Sequence, residues 1–406
     1  MKKDLDRLMK ERGIDAITIT GTPKSSRDMF YLTGPVVVTG CRVVKKLGGE
    51  PLLIAGSMER DEAARSGLEV KTYNDFDMMK IGREAKTPLE GSVKSFARIC
   101  EVLGITGTVA FYGTGDIPSS YAYLSAIEKS GIVKVHAEAS DSIFSEARMT
   151  KDNGEIDRMV AVNKKAQEVM AAVRDFLGEC SEKGGKIVAP DGTELTIGRV
   201  KGIIKSETEA RGIMIEEAVI FSQGRDSAVP HSRGDDDAVL VPGKTIVFDY
   251  CPQEAGCGYF ADITRTWCLG HVPEDVQPIY EQVLEIQEKV LDALETGTPY
   301  SLYDKMTNEF FDEHGHPTPM KKAGENGYVH SLGHGLGLNV HERPRVSMFA
   351  KTEELVTPGH VFTVEPGLYY PDRGIGVRIE DDVAVREDGS IEDLTTLTKE
   401  ILIPLK

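Results

Sequence analysis

Tryptophan occurs once in this 406-residue chain and cysteine six times, and no apolar run approaches the ~18 residues that span a bilayer. The missing run excludes a helical membrane protein. Six scattered cysteines do not make a disulfide framework and suit a reducing compartment. Cys251 and Cys257 in "CPQEAGC" are given no metal or redox role on this reading. The first residues, "MKKDLDRLMKERG", lack the apolar centre of a secretory signal, so a cytoplasmic location is expected. Positive charge is also short. Against 65 Asp and Glu there are 48 Lys and Arg, a formal charge of −17, which argues against a polyanion partner such as nucleic acid and favours solubility.

What remains is an ordinary soluble composition in a chain longer than one core usually organises, so two domains are expected. From residue 1 to 150, short apolar runs ("AITIT", "PVVVTG", "PLLIAG", "TVAFYG") read as strands and "VKSFARICEVLG" as a helix, an α/β pattern. "SIFSEARMTKDNGE" reads as a polar crossing. Beyond it Asp152 and Glu155 form a capping-box pair, and Ile156, Met159, Val160, Ala166, Val169, Met170, Val173 and Leu177 recur at helical intervals before Gly178. Residues 151–406 then alternate long amphipathic helices ("EDVQPIYEQVLEIQEKVLDALETG", "SLYDKMTNEFFDEHG") with strands such as "KTIVFDY", "HVFTVEPG" and "GIGVRIEDDVAV", an α+β pattern. There is no short repeat and no low-complexity segment.

Several of these strands carry a carboxylate where an apolar run should continue. Asp249 ends "TIVFD", Asp262 sits in "GYFADITRT", Glu365 follows "VFTV", and Glu380 follows "GVRI". One such residue is explained by a strand end at the surface. Four together, beside a histidine cluster, point to bound cations, because burying an unpaired carboxylate is costly. Four carboxylates and an imidazole suit two divalent ions sharing ligands, the machinery of hydrolysis at neutral pH.

The imidazoles stand in "HSLGHGLGLNVHE", where His330, His334 and His341 are spaced by four and then seven. Gly333, Gly335 and Gly337 argue against a helix, since each interior glycine costs about 1 kcal/mol relative to alanine. Extended or bent backbone in close approach to a neighbour is expected instead. Spacing alone leaves open which histidine is a ligand.

"HSLGHGLGLNVHE", an aspartate after an apolar strand, "DITRT", "VEPG" and "RIED", in that order, resemble the metallopeptidase family that includes Xaa-Pro aminopeptidase and Xaa-Pro dipeptidase (prolidase). The resemblance implies a pita-bread catalytic domain preceded by a smaller creatinase-like α/β domain. It implies Asp249, Asp262, His334, Glu365 and Glu380 as metal ligands, with Asp262 and Glu380 bridging both ions and Glu365 also acting as general base. His231 in "AVPHSRG" and His341 would line the substrate site, His341 stabilising the tetrahedral intermediate. His330 and Tyr369 would lie in the pocket. Arg378, two residues before Glu380 and on its strand face, would orient carboxylates, and Arg345 could pair with a substrate carboxylate. Short peptides with proline second, and a homodimer, are further implications. Oxygen-rich ligation suits Mn²⁺, while Zn²⁺, Co²⁺ or Fe²⁺ could bind the same set.

The sequence departs from the family at the first ligand, where Cys251 replaces the glycine of Asp-x-Gly and the hairpin to Asp262 is longer by about two residues. That change could place Tyr250, Cys251 or Tyr259 differently around the pocket. Competing readings are a methionine aminopeptidase, disfavoured by the extra domain, a creatinase-like non-peptide hydrolase that needs no metal, and a non-catalytic binding protein on the same fold. His136, His271, His314, His316 and His360 match no motif and are expected in solvated loops.

Overall fold

Strand Ala16–Gly21 buries Ala16, Ile17, Thr18 and Ile19 in succession, the pattern of a central strand covered on both faces. In the computed structural model, which describes residues 4–139, 141–216, 219–321, 324–350 and 354–406, it lies inside a six-stranded mixed sheet. The order is Glu69–Thr72, Leu52–Ala55, Cys41–Lys46, Ala16–Gly21, Thr108–Gly113, Lys134–His136. Helix Pro88–Leu103, begun by the Thr87 cap and ended by Gly104 in the left-handed conformation, buries Phe96, Ile99 and Cys100. These elements belong to one compact unit, Met1–Arg148 with the hairpin tip Gly256–Gly258; Met149–Ala255 with Tyr259–Lys406 forms the other.

"PVVVTG" does not form the expected strand. Val36 and Val38 turn inward while Val37 is 78% exposed, and the ladder starts at Cys41. Pro35 has no N–H to donate, and "CRVVKK" buries Val43 and Val44 between two partner strands. The polar crossing also contains a short helix, Ile143–Ala147, capped by Ser142 and anchored by Ile143 and Phe144.

The second unit opens with helix Asn153–Gly178, whose capping box is complete: Asp152 accepts from the Glu155 N–H and Glu155 from the Asp152 N–H. Val162 replaces Val160 on its buried stripe, and Gly178 is its last residue, not its stop. With Ile197–Ala210 it covers a sheet ordered Ile220–Gln223, Thr245–Tyr250, Ile263–Leu269, Leu402–Ile403. Phe248 anchors this layer, its ring 5.5 Å from both Phe221 and Trp267. Helices Gln277–Ala293 and Tyr300–Glu313 cover a second sheet, ordered Glu342–Val346, Gly333–Gly335, Val361–Val364, Asp381–Val385, Ile391–Asp393. Each half is therefore a helix pair on a sheet.

A buried guanidinium joins the two sheets. Arg265, 1% exposed, ion-pairs with Asp381 at 2.8 Å and donates to the Glu380 carbonyl at 2.9 Å, fixing the segment that carries Glu380 against the strand that follows Asp262. Among the described residues no helix is long and apolar enough to cross a membrane. His360 is not in a solvated loop. It is 2% exposed, stacked on Tyr300 with Nδ1 3.1 Å from the phenol, and burial holds it down to about 3, so it packs as a neutral core residue. His316 is half-buried between Tyr370 and Gln282, and His136 ends a strand.

Candidate metal centre

The antiparallel register pairs Asp249 with Thr264 and Tyr250 with Ile263, and continuing it sets Cys251 opposite Asp262. Side chains two apart share a strand face, so Asp249 and Cys251 point the same way, as do Asp262 and Thr264. Glu380 bridges to Thr264 at the gap between Ile375–Arg378 and Asp381–Val385, and accepts the Thr264 hydroxyl at 2.7 Å. From the other sheet come His334, in the centre of Gly333–Gly335, and Glu365, just past Val361–Val364. Asp262, Glu365 and Glu380 stand just outside strand ends and His334 at a register shift, which lets a polar group leave the apolar layer, while Asp249 is the penultimate residue of its strand.

The glycines of the histidine motif are there for approach. The segment is strand, not helix. A Cβ at Gly333 would lie 2.1 Å from the Thr363 carbonyl oxygen, and one at Gly335 2.2 Å from the Arg343 carbonyl. Gly335→Ala is accordingly expected to cost about 1–3 kcal/mol, the usual range for overpacking, seen as a lower urea midpoint with unchanged slope. An unaltered midpoint would mean that the neighbouring strand yields freely.

The cleft, about 700 Å³, is lined by Asp249, Asp262, His334, Glu365 and Glu380, with Cys251 and Arg378 beside them. His334 Nδ1 lies 3.2 Å from the Gly335 carbonyl, which can only accept, so Nδ1 carries the proton. Nε2 therefore presents a lone pair. It lies 3.4 Å from a Glu365 oxygen and 3.7 Å from an Asp262 oxygen, acceptor against acceptor. Burial, then the neighbouring His341, holds His334 down to about 3, so the imidazole does not take up a proton, and with the carboxyls ionised the contact calls for a cation. Burial also pushes Asp262 well above the ordinary carboxylate range, with Glu380 and Asp249 adding to it. Glu365 rises in the same way, through burial and then Glu380, and Glu380 reaches about 7 through burial and then Asp249. Arg378, 2.6 Å from Asp249, brings one compensating charge to four carboxylates.

Facing acceptors with too little positive charge are the signature of a cation site, and the donor set fits divalent ions. Ligand atoms of Asp262, His334 and Glu380 lie within 4.8 Å of one another, as do those of Asp249, Cys251 and Asp262, so Asp262 belongs to both groups.

His330, His231 and His341 also line the cleft, His231 and His341 with exposed rings. The His341 ring centroid is 4.2 Å from that of His334. Tyr369 is placed differently from the expectation of a pocket residue: it is fully buried and absent from the lining. Arg378 donates to its hydroxyl at 2.9 Å, and that hydroxyl lies 2.9 Å from His330 Nε2. Since His330 Nδ1 donates to the Ser331 carbonyl, Nε2 accepts, and the bonds run Arg378 to Tyr369 to His330. Arg345 pairs with His334 across the sheet but is exposed and outside the lining. Of Tyr250, Cys251 and Tyr259, only Cys251 lines the cleft. Tyr250 bonds Thr208 at 2.6 Å in the core, and Tyr259 bonds Glu155.

Sequence reasoning missed four participants. Thr264 holds Glu380, Asp382 accepts the Asp262 N–H at 3.1 Å, Arg265 ties the two sheets, and Arg233 lines the cleft. Thr264 and Asp382 were within reach, each two residues beyond a proposed ligand and so on its strand face. A second cavity, about 640 Å³ in the amino-terminal unit and lined in part by Arg42, Tyr73 and Phe96, has no carboxylate or imidazole among its lining residues.

Comparison with known proteins places this geometry. Residues 157–387 match metallopeptidase family M24, and residues 2–149 match the creatinase/prolidase N-terminal domain. The chain belongs to metallopeptidase family M24 and has its two-domain pita-bread architecture. It is 29% identical to the Xaa-Pro dipeptidase of Pyrococcus furiosus over 406 residues, covering 99% of this chain and 100% of the relative. Among solved structures it resembles the prolidase of Pyrococcus horikoshii (25% identity, TM-score 0.73, 98% of this chain and 99% of that one). The X-Pro aminopeptidase of Thermotoga maritima is similar in the same degree (26%, TM-score 0.73, 99% of each chain).

Proposed function

We propose that the cleft hydrolyses the peptide bond between an amino-terminal residue and proline in short peptides, using two divalent ions. Asp249, Asp262, His334, Glu365 and Glu380 would hold the ions, with Asp262 and Glu380 shared between them. The observation that carries this is the His334 lone pair set against the Asp262 and Glu365 carboxylates in a cleft where, of the two lining arginines, Arg378 is ion-paired with a carboxylate and Arg233 is exposed. The relatives named as dipeptidase and aminopeptidase supply the substrate class.

When bound, the ions lower the pKa of a shared water and polarise the scissile carbonyl. Glu365 takes the proton of the attacking water and returns it to the proline nitrogen as the carbon–nitrogen bond breaks. His341 and His231 donate to the oxygen of the tetrahedral intermediate from the open side of the cleft. Tyr369 is a positioning residue in this scheme, holding His330 and Arg378 together, and Arg378 in turn orients Asp249. Arg345, exposed and outside the lining, would pair with the carboxylate of a short peptide.

Mn²⁺ is the proposed metal, a homodimer the proposed assembly and the cytoplasm the proposed location; six free cysteines suit the last. The test is to incubate the Mn²⁺-loaded protein with Xaa-Pro and Xaa-Pro-Yaa peptides and follow release of the first residue by mass spectrometry. Cleavage confined to dipeptides identifies a prolidase, and cleavage of longer peptides an aminopeptidase. Stoichiometric metal with neither activity sinks the substrate assignment.

A further inference from the structure

We infer that the Cys251 sulfur is itself a ligand of the metal centre, a third donor beside Asp249 and Asp262. This rests on the metal-dependent reading above and goes beyond its five-ligand set. The hairpin places the residue by register: Cys251 is two positions from Asp249, on its face, and directly across from Asp262. Its Sγ lies 2.8 Å from Asp262 Oδ1 and 3.3 Å from Asp249 Oδ1. Ligands adjacent on one ion, with metal–sulfur near 2.3 Å and metal–oxygen near 2.0–2.2 Å, are separated by about 3.0–3.6 Å. The 3.3 Å separation falls in that range and the 2.8 Å one just below it, and ligand atoms of the three residues lie within 4.8 Å of one another.

Two further observations favour coordination over a bystander thiol. Asp262 is 3% exposed, and among the described residues the Cys251 thiol is the one hydrogen-bond donor to its carboxylate. A cation held by Asp262 and Asp249 would lie against the Cys251 sulfur and take the place of its hydrogen bond to Asp262. The His334 lone pair faces the other Asp262 oxygen, Oδ2, so the Oδ1 beside the Cys251 sulfur is left for the second ion. As the ion binds, the S–H proton passes to solvent and the sulfur lone pair forms the metal–sulfur bond, with no change of oxidation state.

A thiolate makes one of the two positions softer than an all-carboxylate site. That shifts preference away from Mn²⁺ toward Zn²⁺, Co²⁺ or Fe²⁺, against the manganese expectation that oxygen-rich ligation alone supports.

The test is to strip the full chain of metal, reload it with Co²⁺, measure bound cobalt and record the electronic spectrum. A thiolate-to-cobalt charge-transfer band in the near ultraviolet, lost in Cys251→Ser, is the expected result. In equimolar Zn²⁺ and Mn²⁺, the bound zinc-to-manganese ratio should fall about tenfold or more from the wild type to Cys251→Gly. If the variants do not fold, the wild-type spectrum decides together with iodoacetamide labelling of Cys251, which cobalt should slow about tenfold or more. Two bound cobalt ions per chain without the band, or a band that survives Cys251→Ser, overturns the sulfur ligand and leaves the carboxylate centre standing. Failure to bind cobalt at all overturns both.

Discussion

Asp262→Asn is expected to abolish hydrolysis and empty the centre while the protein stays folded. Asp262 contributes to both groups of candidate ligands, so its loss weakens both positions at once. Even the hydrogen-bond partner of a ligand is worth about 10–100-fold in metal affinity, and a shared ligand should exceed that. The same change should leave the metal-free protein as stable as before or more so. Burial, Glu380 and Asp249 all oppose the charged form of Asp262, and a neutral amide removes that conflict. Thermal melts with and without metal separate the two effects: the variant should lose the metal-dependent increment and keep its metal-free melting temperature. An active, metal-replete variant would show that Asp262 is not shared.

His341→Ala should do the opposite: both ions retained, kcat reduced by about 10²–10³-fold, the range for losing one donor to a developing oxyanion. His341 is exposed on the cleft, and its ring meets His334 at 4.2 Å without belonging to either carboxylate group. Metal analysis alongside steady-state kinetics decides the matter. Loss of metal would mean that ligand and substrate roles have been exchanged between the two histidines.

The four carboxylates were legible because the argument needed only local context, a charge at the end of an apolar run. The structure gathers all four in one cleft. The helix Asn153–Gly178 was legible for the same reason, since a capping box and a 3.6-residue stripe are local signals. What was not legible depends on pairing at long range. "PVVVTG" has strand composition, yet its Val37 and Thr39 N–H groups donate to Glu62 and Glu59 side chains and among the described residues no strand pairs with it, and His360 looks like a loop histidine until Tyr300, 60 residues earlier, stacks on it. Tyr369 could be placed near the pocket by resemblance, yet its link between His330 and Arg378 appears only when three separate segments meet. Cys251 was visible as an anomaly. Its meaning waited on the register that sets it opposite Asp262.

If catalysis depends on two ions held by these side chains, activity follows bound metal when the metal-free protein is titrated. Bound metal and Xaa-Pro hydrolysis are measured on the same samples as Mn²⁺ is added. Turnover should be absent without metal and complete near two ions per chain. Undiminished hydrolysis in protein shown to be free of metal would contradict it.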